Sequence, residues 1–290
     1  MYGSSESPRD QGGPFCDIRA SSDSGFTLLV TVACGYDANR NGTATGVGNP
    51  TPEAGGGPLR CTVVPPVLVI FASVYGASVA AFLPRVAHRL DVGFGQDARD
   101  SCASCGRPFP GWLHAGAACP CAPRSAAVVP AGAAVAGLLA TIGPSAMLPV
   151  YLLAVVPGLL LAVLDLRCLR LPDRLVGALA VVGALPAAVL RPERIGPALA
   201  AGVLVLAAYL LVAALPRGGL GLGDVKLAGA LALILGFAGW PAVAVGLLAP
   251  HLINGPVAIV LLLTRRAGGR RPLPFGPALL AGAVLAVTTT

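Results

Sequence analysis

Between residues 126 and 290 the chain carries four carboxylates: Asp165, Asp173, Glu193 and Asp224. Asp165 directly follows the apolar run Val155–Leu164, and Asp224 closes Gly221-Leu222-Gly223-Asp224 just ahead of another apolar run. An ionisable group set against so hydrophobic a segment is costly and marks a functional site by default. Two carboxyls on one membrane face can share one proton, because like charges a few ångströms apart do not both ionise easily. The ionised member then takes a proton from water while the other donates to a carbonyl oxygen. That is general acid–base peptide hydrolysis without a covalent intermediate. Gly221 and Gly223 would let the backbone bend closely around a substrate strand. Lys226, two residues past Asp224, suits pairing with an aspartate or a substrate carboxylate, and equally suits snorkelling from a helix end. Spacing alone fits a second reading of Asp165 and Asp224, as two helix-end caps. Asp173, after Pro172, reads as a cap on the following helix, and Glu193 as a solvated loop residue.

A second cluster is built from thiols. Four of the eight cysteines, Cys102, Cys105, Cys119 and Cys121, form C-x-x-C, a short loop, then C-x-C. Paired thiolates at such a spacing suit tetrahedral zinc, and Gly106 behind the first pair suits a zinc knuckle. C-x-C is tighter than the usual C-x-x-C, Pro120 stiffens it, and His114 can replace one ligand. Disulfides or uncoordinated thiols are the other reading. A metal here would fold a small loop with little core of its own.

The elements that must hold these groups are set by composition. Hydrophobic residues make up 55% of the 290, charged residues 11%, and the mean hydropathy is +0.78. Soluble domains carry about 25% charged residues, so a water-soluble globule and a wholly disordered chain are both excluded. Residues 1–62 are rich in Gly, Ser, Pro, Asn and Asp and read as a disordered or dispensable extension. Beyond them, apolar stretches alternate with short polar breaks. A spanning helix needs about 20 apolar residues, which gives eight candidates: 63–84, 126–143, 146–164, 175–190, 197–216, 225–240, 242–263 and 275–290. The expected fold is thus an all-α polytopic membrane protein. A first transmembrane helix at 63–84 is followed by a cytoplasmic cysteine-rich loop at 85–125 and a seven-helix membrane domain at 126–290.

Charge supplies the orientation. With the first helix running inward, the inner loops hold 14 Arg and Lys residues and the outer loops two, Arg191 and Arg194. That follows the positive-inside rule and puts Asp165 and Asp224 together at the inner face of a cell inner or plasma membrane. The net charge of +7 is therefore assigned to membrane topology and anionic lipid, not to nucleic acid. Trp112 and Trp240 read as interfacial anchors, and His251 as a packing histidine among apolar neighbours.

These residues resemble the type IV prepilin peptidases, membrane aspartyl proteases of the GXGD class. The likeness runs in order through Gly76-Ala77-Ser78 and Arg85–Leu90, the cysteine loop, Asp165-Leu166-Arg167 with Arg170-Leu171-Pro172-Asp173, Gly221–Lys226 (GLGDVK) and Pro274-Phe275-Gly276-Pro277. The resemblance implies an enzyme that removes the basic leader from prepilins or pilin-like secretion subunits at the cytoplasmic face, with Asp165 and Asp224 as the catalytic pair. It also implies structural Zn2+ in the cysteine loop and, where that activity is retained, S-adenosylmethionine-dependent methylation of the new N-terminus. The shortened loop and its C-x-C depart from the family pattern. The rival expectation is non-catalytic: a small transporter or an assembly-platform subunit using the aspartates as a cation or proton site. The identity of the prepilin and the oligomeric state are not encoded in any motif found.

Overall fold

A computed structural model of the chain describes residues 31–35, 60–90, 92, 98–102, 104–109, 127–215, 220–263 and 274–290. Its elements are a two-stranded antiparallel ribbon and eight α-helices. β1 (Thr31–Gly35) pairs with β2 (Arg60–Val64), with Thr31 opposite Val64 and Gly35 opposite Arg60. The helices are α1 (Pro66–Leu90), α2 (Val128–Ala140), α3 (Leu148–Cys168), α4 (Asp173–Leu190), α5 (Ile195–Ala214), α6 (Leu222–Gly236), α7 (Trp240–Leu263) and α8 (Gly276–Thr289), with one 3-10 turn (Pro192–Arg194) between α4 and α5.

Of the expected extension at residues 1–62, residues 31–35 and 60–62 are described and belong to this ribbon; the rest of it lies outside the described residues. The first helix also runs past residue 84 to Leu90. Pro84 sits within it, and α1 carries Arg85 and Arg89 as helical residues instead of loop residues.

All eight expected apolar segments contain a helix, and the helices differ in length. Among the described residues, four are long and apolar enough to cross a membrane: Pro66–Leu90, Leu148–Cys168, Asp173–Leu190 and Pro192–Ala214. Helices α2, α6 and α8 have 13, 15 and 14 residues. At about 1.5 Å per residue they rise roughly 20–23 Å, short of the roughly 30 Å hydrocarbon core. Apolar composition does not fix length; the breaks do. Gly143 (φ +80°) closes the α2–α3 turn, and Gly239 (φ +125°) closes the α6–α7 turn. Leu169, in the left-handed region at φ 51°, ends α3, and Pro172 keeps its predecessor out of helix before α4 begins.

Helix α6 is the axis. It packs against α4, α5, α7 and α8. From Leu227 to Gly236 every residue but Leu233 is buried, as expected of a helix that is apolar all round. Small residues let its neighbours close on it. Gly202 of α5 faces Gly229 and Leu233 of α6, while Gly236 faces Ala198. Gly76 and Gly132 do the same where α1 crosses α2. This is the small-residue packing expected in lipid, where apolar burial does not drive helices together. Large apolar side chains line the outside, among them Leu199, Val203, Leu206 and Leu210 on α5 and Val181, Leu185 and Val189 on α4. Stripes of this kind are unfavourable against water and at home against acyl chains. The chain is a mostly helical membrane protein.

Candidate active site

Asp165 lies one turn before the end of α3 and is 4% exposed. A carboxylate there faces the negative end of its own helix, so it does not serve as a cap for α3. Its partner comes from elsewhere. The backbone N–H of Gly276, the first residue of α8, donates to Asp165 Oδ2 at 2.9 Å. That amide is one of the donors a helix leaves unsatisfied at its start, and the next residue, Pro277, has no N–H at all. The positive end of α8 thus holds a carboxylate delivered by α3. A glycine keeps this approach open, because a Cβ on residue 276 would stand 2.9 Å from Asp165 Oδ2 and 3.2 Å from its Cγ and would push the carboxyl off the amide.

Asp224 is the third residue of α6. It is half-buried, and its Oδ2 turns back toward Gly221 at the N-cap, so the capping reading holds for one of its two oxygens. The other, Oδ1, is buried and has no hydrogen-bond partner among the described residues. The two carboxyls lie close enough that Asp224 feels the charge of Asp165. Gly223 brings α6 up to the segment after Asp165: a Cβ there would meet Leu171 Cβ at 3.0 Å. Residues 59 positions apart in the chain are in this way brought to one end of the helix bundle.

The other sequence-derived candidates divide. Lys226 donates to Asp173 Oδ2 at 2.7 Å, an exposed ion pair joining α6 to α4. Asp173 therefore bridges two helices, and the residue at the N-cap of α4 is Pro172. His251 of α7 is exposed, with ring contacts on one side. Its Nδ1–H donates to Leu247 O at 2.8 Å, and its ring stands edge-on to Tyr209 (6.2 Å) and Phe275 (5.5 Å). Trp240 opens α7 and is 52% exposed, consistent with an interfacial anchor.

The first half of the cysteine loop forms a tight turn. Cys102 N–H donates to Arg107 O, and Gly106 N–H to Cys102 O, with Gly106 in the left-handed region at φ 69°. The turn docks on the end of α1, where Arg89 stacks over Phe109 at 5.1 Å and His88 meets the same ring edge-on. Cys102 is buried with Sγ 3.6 Å from His88 Nε2, and Cys105 is exposed. Cys119, Cys121 and His114 lie outside the described residues, and among those described no group of three or more metal-binding side chains occurs. His88 was missed by sequence reasoning because its neighbour in space is 14 residues away. Tyr209 was missed too, although a tyrosine in an otherwise apolar helix has a polar tip that needs a partner.

An apolar cavity of about 180 Å³ runs between α2, α3 and α8. Its lining includes Leu139, Tyr151, Ala162, Pro277 and Leu280. Ala162 is one turn from Asp165, and Pro277 adjoins Gly276, so the cavity ends beside the held carboxylate.

Residues 152–264 match the type IV leader peptidase family. Both aspartates fall within the matched stretch, which bears out the resemblance read from the sequence; the cysteine loop and the Pro274–Pro277 run lie outside it. The chain is also 39% identical over 87 residues to a prepilin leader peptidase/N-methyltransferase of Bacillus subtilis (strain 168), an alignment covering 30% of this chain and 33% of that protein. The chain thus matches about a third of the length of this curated relative. No solved structure matches the chain.

Proposed function

We propose that this protein is a membrane aspartyl endopeptidase that removes the basic leader from prepilins or pilin-like secretion subunits at the cytoplasmic face of the inner membrane. The observation that carries the reading is the pairing at the bundle end. Asp165 is fixed by the Gly276 amide at 2.9 Å, while Asp224, within reach of its charge, keeps a buried and unpartnered Oδ1 among the described residues. In this reading one carboxyl is ionised and takes a proton from the attacking water. The other holds a proton, hydrogen-bonds to the scissile carbonyl and stabilises the charge that develops there. Gly221 and Gly223 leave room for an extended substrate backbone beside Asp224, and Lys226 flanks the site. The cavity between α2, α3 and α8 receives the apolar segment behind the cleavage point, and the basic leader stays on the cytoplasmic side.

The cysteine loop is the second part of the proposal. Cys102, Cys105, Cys119 and Cys121 hold Zn2+, which ties the loop together without entering the proteolytic chemistry. The relative's name also carries N-methylation, and S-adenosylmethionine is the methyl donor such an activity needs.

The test is co-expression with a prepilin, reading leader loss and the new N-terminus by mass spectrometry, with wild type beside Asp165→Asn and Asp224→Asn. Cleavage by wild type alone is the expected result, and the mass of the new N-terminus decides methylation in the same experiment. Cleavage retained by either variant overturns the catalytic pair. Absence of cleavage with matched prepilins, despite correct insertion, shifts the reading to a transporter or assembly-platform subunit.

A further inference from the structure

Tyr209 projects from the buried face of α5 and is 7% exposed. Its hydroxyl is buried and has no hydrogen-bond partner among the described residues. Apart from the His251 ring edge-on to it, the side chains near Tyr209 are apolar, including Val205, Leu231, Leu247 and Leu279, and none hydrogen-bonds the hydroxyl. Leu206 of α5 packs on Gly229 of α6, so Tyr209, about one turn further along α5, lies toward the start of α6, where Asp224 Oδ1 is likewise buried and unpartnered among the described residues. One group is a donor and the other an acceptor, they lie on the closely packed neighbours α5 and α6, and neither bonds the other directly. Buried polar atoms in this relation are satisfied together by a single shared water.

We propose that Tyr209 is a positioning residue for Asp224: through one water its hydroxyl donates toward Asp224 Oδ1 and fixes the orientation of that carboxyl. The ring is itself held in place. His251 stands edge-on between Tyr209 and Phe275, with its Nδ1–H committed to Leu247 O. Phe275 precedes the glycine whose amide holds Asp165. One run of rings thus links α5 through α7 to the residue before Gly276. Replacing Tyr209 removes the donor to Asp224 without touching the donor to Asp165.

The kinetic part of the test rests on the peptidase reading; the spectroscopic part does not. In purified full-length protein, the infrared carboxyl band lost in Asp224→Asn should move in Tyr209→Phe. Against a prepilin substrate, Tyr209→Phe should lower kcat about tenfold or more while KM stays within about twofold, the pattern of an interaction needed in the transition state. If Tyr209→Phe does not fold, replacement of Tyr209 by 4-fluorophenylalanine fills the hydroxyl's volume without a donor and is read in the same way. An unmoved band overturns the contact. A moved band with unchanged kcat overturns the positioning role. If wild type cleaves no prepilin, the peptidase reading fails, and the band still decides the contact.

Discussion

The amide of Gly276 and the carboxylate of Asp165 are 111 residues apart in the chain and 2.9 Å apart in space. The contact joins the carboxyl end of α3 to the amino end of α8. It satisfies a helix-start amide that lacks an intrahelical acceptor and holds a carboxylate where its own helix gives it no support. One hydrogen bond thus fixes both the entry of the last helix and the direction of a carboxyl proposed to do chemistry.

Asp165→Asn and Asp224→Asn should each lower prepilin cleavage by at least about 10³-fold, the upper part of the range for removing a general acid or base. Accumulation and membrane insertion should match wild type. Quantitative immunoblotting of cleaved and uncleaved prepilin checks both statements.

Gly276→Ala should be nearly as stable as wild type but poorly active. The new methyl would lie 2.9 Å from Asp165 Oδ2, so the carboxyl must turn away from the amide. A loss of about 10- to 100-fold in kcat is expected, the scale of misplacing one preorganised donor–acceptor contact. Activity within about twofold of wild type, at unchanged thermal stability, would show that the contact does not position Asp165.

Gly236→Val tests packing apart from chemistry. A side chain at 236 runs into the Ala198 backbone, and the helix at that point cannot yield as a flexible side chain would. Overpacking of this kind costs about 1–3 kcal/mol. It should appear as a lower melting temperature in detergent for Gly236→Val, with a smaller effect for Gly236→Ala.

Asp173→Asn removes an ion pair whose side chains are 69% and 49% exposed, on Asp173 and Lys226 respectively. Exposed pairs contribute about 0–1 kcal/mol. Thermal unfolding should therefore change little, and by less at high salt, where the charges are screened.

The zinc proposal is checked by metal analysis of the purified protein, with about one Zn2+ per chain expected from a single four-ligand site. Cys102→Ser and Cys105→Ser should each lower the zinc content. Chelation should increase protease sensitivity within residues 85–125 while leaving the helical core intact, because α6 and its neighbours α4, α5, α7 and α8 pack directly on one another.

Much of the architecture was readable from local properties. Apolar runs and their Pro and Gly breaks located all eight helices, because a backbone in lipid must satisfy its own polar groups and helices do so within one segment. The two aspartates stood out because charge is rare in such runs. Composition could not set helix length: α6 reads from the sequence as one more apolar segment, yet it has 15 residues and buries nearly all of Leu227–Gly236 against other helices. Nor could spacing distinguish caps from a paired site. Asp224 turned out to be both, with one oxygen toward Gly221 and the other buried and unpartnered among the described residues. The partners of the site were invisible in the chain order. Gly276 for Asp165 and His88 beside Cys102 are contacts between different elements. Hydrophobic patterning specifies which segments become helices, whereas close packing through Gly202, Gly229 and Gly236 sets which side chains meet, and that depends on the whole bundle at once.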